Sequence, residues 1–252
     1  MNIHVIKKEV RESLYANRGL WMILASVCIL SVLCIVVVNI KEGSVLAQSD
    51  LLQYFIKASL FITLFVAMVL GASSFAMERE EHTLESLLLT PISKLNLSIA
   101  KYIGVLMVGF ILLLFSIPYL IAVGAGSGLT LSALLIAFFI GVILLLAFSA
   151  ISVALSVILQ SSKAAILTSA LVLLILSFPA FVQSLLKQSP VGAALLKIDP
   201  VACCFGLMNT AFIDKISIFA MPQYCLPPII FAVIAIVLLE WSSGKVALKG
   251  EK

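Results

Sequence analysis

The groups best suited to chemistry lie together in one short stretch, Met77-Glu-Arg-Glu-Glu-His-Thr-Leu-Glu-Ser-Leu-Leu-Leu-Thr-Pro-Ile-Ser-Lys94. Glu78, Arg79, Glu80 and Glu81 crowd its start. Leu84, Leu87 and Leu88 follow at i, i+3 and i+4, a spacing that puts all three on one face of a helix. Thr83 is placed to cap the N-terminus of that helix, and Glu85 falls in its first turn, where negative charge is favoured. Pro91 ends it, because the residue before a proline avoids helical geometry. A leucine knob flanked by charge is suited to binding rather than to bond-making. It reads either as a docking element for a soluble partner or as a helix resting on a membrane surface.

Elsewhere the means for catalysis are missing. There is no Gly-x-x-x-x-Gly-Lys-Ser/Thr loop to cradle a nucleotide and no His-Glu-x-x-His metal motif. Only two histidines occur, His4 and His82, and neither stands beside a candidate nucleophile in the topology derived below. Of the five cysteines, Cys28 and Cys34 fall in an apolar run and read as small hydrophobes. Cys203, Cys204 and Cys225 lie in a stretch outside the membrane, where a disulfide is open, although adjacent Cys203 and Cys204 are poorly placed to bond each other. No metal ligand set is expected.

These groups must be positioned by a chain that is 63% hydrophobic and only 11% charged, with a mean hydropathy of +1.24. A water-soluble domain is nearer a quarter charged, so this one is solvated by lipid. Its apolar runs are continuous rather than alternating, which excludes a barrel. In hydrocarbon a helix satisfies its own backbone, so the fold class is an all-α integral membrane protein. Six runs are long enough to span, at about 20–40, 57–77, 99–123, 131–159, 164–186 and 227–241. The fourth exceeds the bilayer and should tilt, bend near Gly141 or project beyond it. Met1–Arg18 is charged throughout and the first run is too long for a leader's apolar core, so no cleavable signal peptide is expected.

Orientation follows from the basic residues. With the N-terminus inside, inner segments hold eleven of the 16 and outer ones hold five, Lys41, Lys57, Lys187, Lys197 and Lys215. That obeys the positive-inside rule and puts both termini in the cytoplasm. The net charge of +4 then calls for anionic lipid rather than nucleic acid. Lys57, Lys101 and Glu240 sit near span ends, where they can snorkel. Ile3, Ile6, Val10 and Leu14 form one face of an amphipathic helix expected on the inner surface, with Lys7 at the edge of the stripe. Lys187–Leu226 is too apolar for a solvated loop and is broken by Pro190, Pro200 and Pro222. Short helices dipping into the outer leaflet are expected there.

The run from Glu78 to Pro91, continuing through Ile92-Ser93 to Lys101, resembles the motif of ABC type-2 permeases, the membrane subunits of ATP-binding-cassette exporters. The match is most secure at Glu80, Thr83, Leu84, Glu85, Leu87, Leu88 and Pro91. Ile198-Asp-Pro-Val-Ala202 resembles the family's entry to its outer re-entrant helices. The resemblance implies six spans, an N-terminal interfacial helix, a coupling helix between spans two and three, and a single permease domain over 1–252. It implies a chain that binds no cofactor itself and works with ABC ATPase subunits carrying ATP and Mg. A second permease copy, identical or paralogous, is implied in a bacterial or archaeal cytoplasmic membrane. Small residues Ala67, Gly71, Ala150 and Ala154 are expected to pack that dimer. Spans two and five would line the path, which makes Thr63, Ser73, Ser74, Thr168, Ser169 and Ser177 its candidates. The cargo is not legible. The rival reading is a membrane scaffold, maturation or signalling subunit that moves nothing; a lipid transferase is disfavoured by the lack of intramembrane acids and bases.

Overall fold

The computed structural model describes residues 3–15, 17–39, 45–84, 93–125, 130–213 and 222–245, and every regular element among them is an α-helix. In chain order these are α1 (Ile3–Tyr15), α2 (Asn17–Asn39), α3 (Val45–Glu80), α4 (Lys94–Gly124) and α5 (Thr130–Ile158). They are followed by α6 (Ser162–Phe181), α7 (Gln183–Leu186), α8 (Pro190–Ile198), α9 (Pro200–Ile213) and α10 (Pro222–Ser243). Six stretches are long and apolar enough to cross a membrane: Gly19–Asn39, Asp50–Glu80, Lys94–Gly124, Leu131–Ile158, Ser162–Phe181 and Gln223–Ser243.

The second helix is much longer than its apolar run. At 36 residues α3 measures about 54 Å. Hydropathy stops at Met77, but nothing in Glu78-Arg-Glu80 opposes a helix, and the backbone turns only at His82, whose φ of 57° is left-handed. The fifth is shorter than expected. It breaks at Val182, three residues past Pro179, and a single turn, α7, follows before α8.

The segment after α6 is helical, as its apolar content predicts, and two caps of the same design shape it. Ser189 Oγ accepts from Gly192 N–H at 3.0 Å at the start of α8, and Asp199 Oδ1 accepts from Ala202 N–H at 2.7 Å at the start of α9. Each is followed by a proline at the first helical position, where a missing N–H costs nothing. Between the two helices the chain bends by 92°.

The centre of the bundle is α5, packed most extensively against α3 and then α10. Ala67, Gly71, Ala150 and Ala154 are buried in this single copy, which corrects their assignment to a dimer interface. A Cβ at Gly71 would stand 2.0 Å from Ser152 Oγ, so the small residues are spent on bringing α3 against α5. Gly141 likewise admits Leu113 and Leu60, whose side chains approach within 2.8 and 3.0 Å of where a Cβ would stand. The helix is unbroken there.

Candidate functional site at the C-terminal end of α3

Three consecutive charged residues close α3, and each reaches a different part of the bundle. Glu78 Oε1 accepts from Lys101 Nζ of α4 at 2.5 Å, and Lys101 also donates to Glu9 Oε2 of α1 at 3.3 Å. Both Lys101 and Glu9 are buried. The ammonium stands 5.2 Å from the centre of the Phe75 ring, which adds a favourable quadrupole contact. Lys101 therefore does not snorkel, contrary to the expectation for a lysine near a span end. A buried cation needs partners, and two carboxylates supply them.

Arg79 turns the other way. Its guanidinium donates to Leu159 O at 2.7 Å and Val157 O at 3.1 Å, the carbonyls left without helical partners where α5 ends. Glu80 completes the turn from the opposite side. It accepts from Ser162 N–H at 2.9 Å and from the Ser162 hydroxyl, at the N-terminus of α6. Ser161 occupies the capping position of that helix but makes no side-chain cap, so Glu80 supplies one from another span. A cation at a helix C-terminus and an anion at the next N-terminus both match the helix dipoles.

One turn earlier, Ser156 Oγ of α5 accepts from the backbone N–H groups of Phe75 and Ala76 at 2.9 and 3.0 Å. The last two turns of α3 are thus joined to α4, α5 and α6 by polar bonds, and to α1 through Lys101.

The expected coupling residues divide. Glu78 and Arg79 turn into the bundle, and Glu80 is exposed but bonded to Ser162. Glu81 and Thr83 are exposed. Thr83 Oγ1 donates back to Glu78 O at 3.2 Å, across the end of α3. Leu84 is 1% exposed and belongs to the core, so in this copy it anchors the segment rather than standing out as a knob. Glu85, Leu87, Leu88 and Pro91 lie outside the described residues.

Of the expected path residues, Ser73 and Ser74 line a cavity of about 180 Å³ between α1, α3 and α4, together with Glu9, Glu78 and Lys101. A second cavity, about 280 Å³, is almost wholly apolar and lies between α3, α4 and α5. Thr63, Thr168, Ser169 and Ser177 line neither. Thr63 and Thr168 each donate to their own helix backbone, at Ser59 O and Ala164 O. Ser169 is fully buried. No group of three or more His, Cys, Asp or Glu among the described residues is arranged to hold a metal ion.

The sequence reading missed Glu9, Ser156 and Ser162. A signal existed for Glu9, a carboxylate one turn after Val5 and Ile6 of α1. Serine at a helix end or within a span carries none, because its usual role is to bond its own backbone.

Six long apolar helices among the described residues, with ion pairs and interhelical caps gathered at one end, make a multi-pass membrane protein. A family model described as ABC-2 family transporter protein matches residues 3–189, and the chain belongs to that family. Its members are membrane subunits and generally not catalytic themselves. A comparison with curated proteins finds no match.

Proposed function

We propose that the chain is the membrane half of an ATP-driven exporter, a single permease domain paired with a second copy, identical or paralogous. Separate ABC ATPase subunits would hold ATP and Mg and dock on the segment that follows α3, while this chain binds no cofactor. The membrane is a bacterial or archaeal cytoplasmic membrane, with both termini and the α3–α4 connection inside. Spans two and five face the cargo path, with Thr63, Ser73, Ser74, Thr168, Ser169 and Ser177 as its candidate lining.

The observation that carries the reading is the Glu78-Arg79-Glu80 hub. A force on the following segment meets, at its root, bonds to α4, α5 and α6, and through Lys101 to α1. ATP binding shifts the permease only if the ATPase holds its two states with different affinity, and a hub of this kind is what transmits that difference.

The test is cross-linking within a co-expressed complex. The partner supplied is a P-loop ABC ATPase, and the native cysteines are removed. Cysteine in place of Glu81 is expected to cross-link to the ATPase, and cysteine in place of Gln188, at the opposite end, is not. A permease that purifies alone and never cross-links at Glu81 would favour the scaffold reading.

A further inference from the structure

We propose that the exposed basic edge of α1, formed by Lys7, Lys8 and Arg11, binds anionic phospholipid headgroups and that this contact is relayed to the end of α3 through Glu9, Lys101 and Glu78. The inference rests on the orientation and coupling role given above, since it puts α1 at the inner leaflet and the hub at the ATPase.

Charge is divided across α1. At about 100° per residue, Lys7, Arg11 and Lys8 fall within an arc of roughly 100°, and all three are exposed. Lys7 lies only about 20° from Leu14, at the border of the apolar stripe, where a long cationic side chain reaches headgroup level. Glu12 offsets part of this charge by pairing with Lys8 at 3.6 Å, an exposed contact, and among the described residues neither Lys7 nor Arg11 makes an ion pair. Trp21, 67% exposed early in α2, suits the same interface.

The other flank of α1 is docked rather than free. Glu9 is buried against Lys101, and Gly104 of α4 brings the helices so close that a Cβ there would stand 2.7 Å from Ser13 Oγ and 3.3 Å from Glu9 O. α1 packs chiefly on α4. A pull on its basic edge is therefore felt at Lys101, and through 2.5 Å at Glu78. Basic residues that serve only to orient insertion would need neither the arc nor this rigid attachment.

The permease–ATPase complex is reconstituted in phosphatidylcholine vesicles with and without about a quarter phosphatidylglycerol. ATP hydrolysis is expected to rise several-fold with the anionic lipid. K7Q/K8Q/R11Q is expected to show one rate in both lipids, and the charge-preserving K7R/K8R/R11K to respond as the parent does. E9Q should retain phosphatidylglycerol but lose the rise; a full response in E9Q overturns the relay. Glycerol 3-phosphate added to neutral vesicles should do nothing, and a rise would assign the site to soluble phosphate instead.

A further arm needs no ATPase. Permease alone, extracted from mixed vesicles, should retain phosphatidylglycerol over phosphatidylcholine, with the preference falling about fivefold per cation removed. An active complex with equal rates in both lipids, or equal retention by the parent and K7Q/K8Q/R11Q, overturns the inference and leaves the exporter reading standing. Failure of the ATPase to associate removes the exporter reading, while retention still decides the lipid site.

Discussion

Lys101 shows at the residue scale how a membrane protein uses a charge it cannot hydrate. Two carboxylates from different helices share one buried ammonium. Deleting the lysine strands both acids. Lys101→Met is expected to destabilise the detergent-solubilised protein by about 3–5 kcal/mol, seen as a lower thermal midpoint. Neutralising all three in Glu9→Gln/Glu78→Gln/Lys101→Met should recover most of that loss, because no unpaired charge remains. Failure of the triple variant to recover would mean that Lys101 is held by packing rather than by charge. The sequence supplied the types here but not their direction. Glu78, Arg79 and Glu80 were legible as a functional cluster from their crowding after an apolar run. That Glu78 and Arg79 turn into the bundle while Glu80, still exposed, reaches across to α6 was not, since their partners lie on α4, α5 and α6. Leu84 fell to the same limit: a leucine at helical spacing looks alike whether it faces a partner or the core.

At the scale of elements, six apolar runs gave six spans because hydrocarbon leaves the backbone one economical solution. Ends were read less well, for hydropathy marks where lipid stops and not where the helix does. Helix α3 runs on through Glu80, while α6 stops short of the apolar Leu185 and Leu186. Small residues posed a harder problem. They mark close helix approach, but the pattern does not say whether the neighbour belongs to the same chain. Gly71 settles that for α3 and α5. Gly71→Ala is expected to cost about 1–3 kcal/mol by overpacking against Ser152. Adding Ser152→Gly should relieve most of that cost, since it removes the atoms the new methyl meets. Two additive losses in the thermal midpoint would show that the contact is not what holds these helices apart.

For the whole molecule, the distribution of charge and exposure constrains how the bundle sits and where a second copy can meet it. The most buried helices are α3 and α5, whereas α2, α6 and α10 present mostly apolar side chains outward. The small-residue seam between α3 and α5 is already closed within one copy and offers no face to a second. The hub lies at one end of the bundle, and the α6–α8 connection at the other. The excess of lysine and arginine falls on the hub end, which predicts that end to be cytoplasmic. Lys163 and Gln188 are both exposed and stand at opposite ends of α6 and α7. In a cysteine-free background, Gln188→Cys in intact cells is expected to react with a membrane-impermeant thiol reagent. Lys163→Cys should react only after the membrane is opened. Lys163 follows Ser162, whose bonds to Glu80 fix the α5–α6 turn beside the hub, so its label reports the side on which any ATPase must dock. The opposite labelling pattern would put Glu81 outside, beyond reach of ATP, and the hub would then have to serve something other than a nucleotide-driven partner.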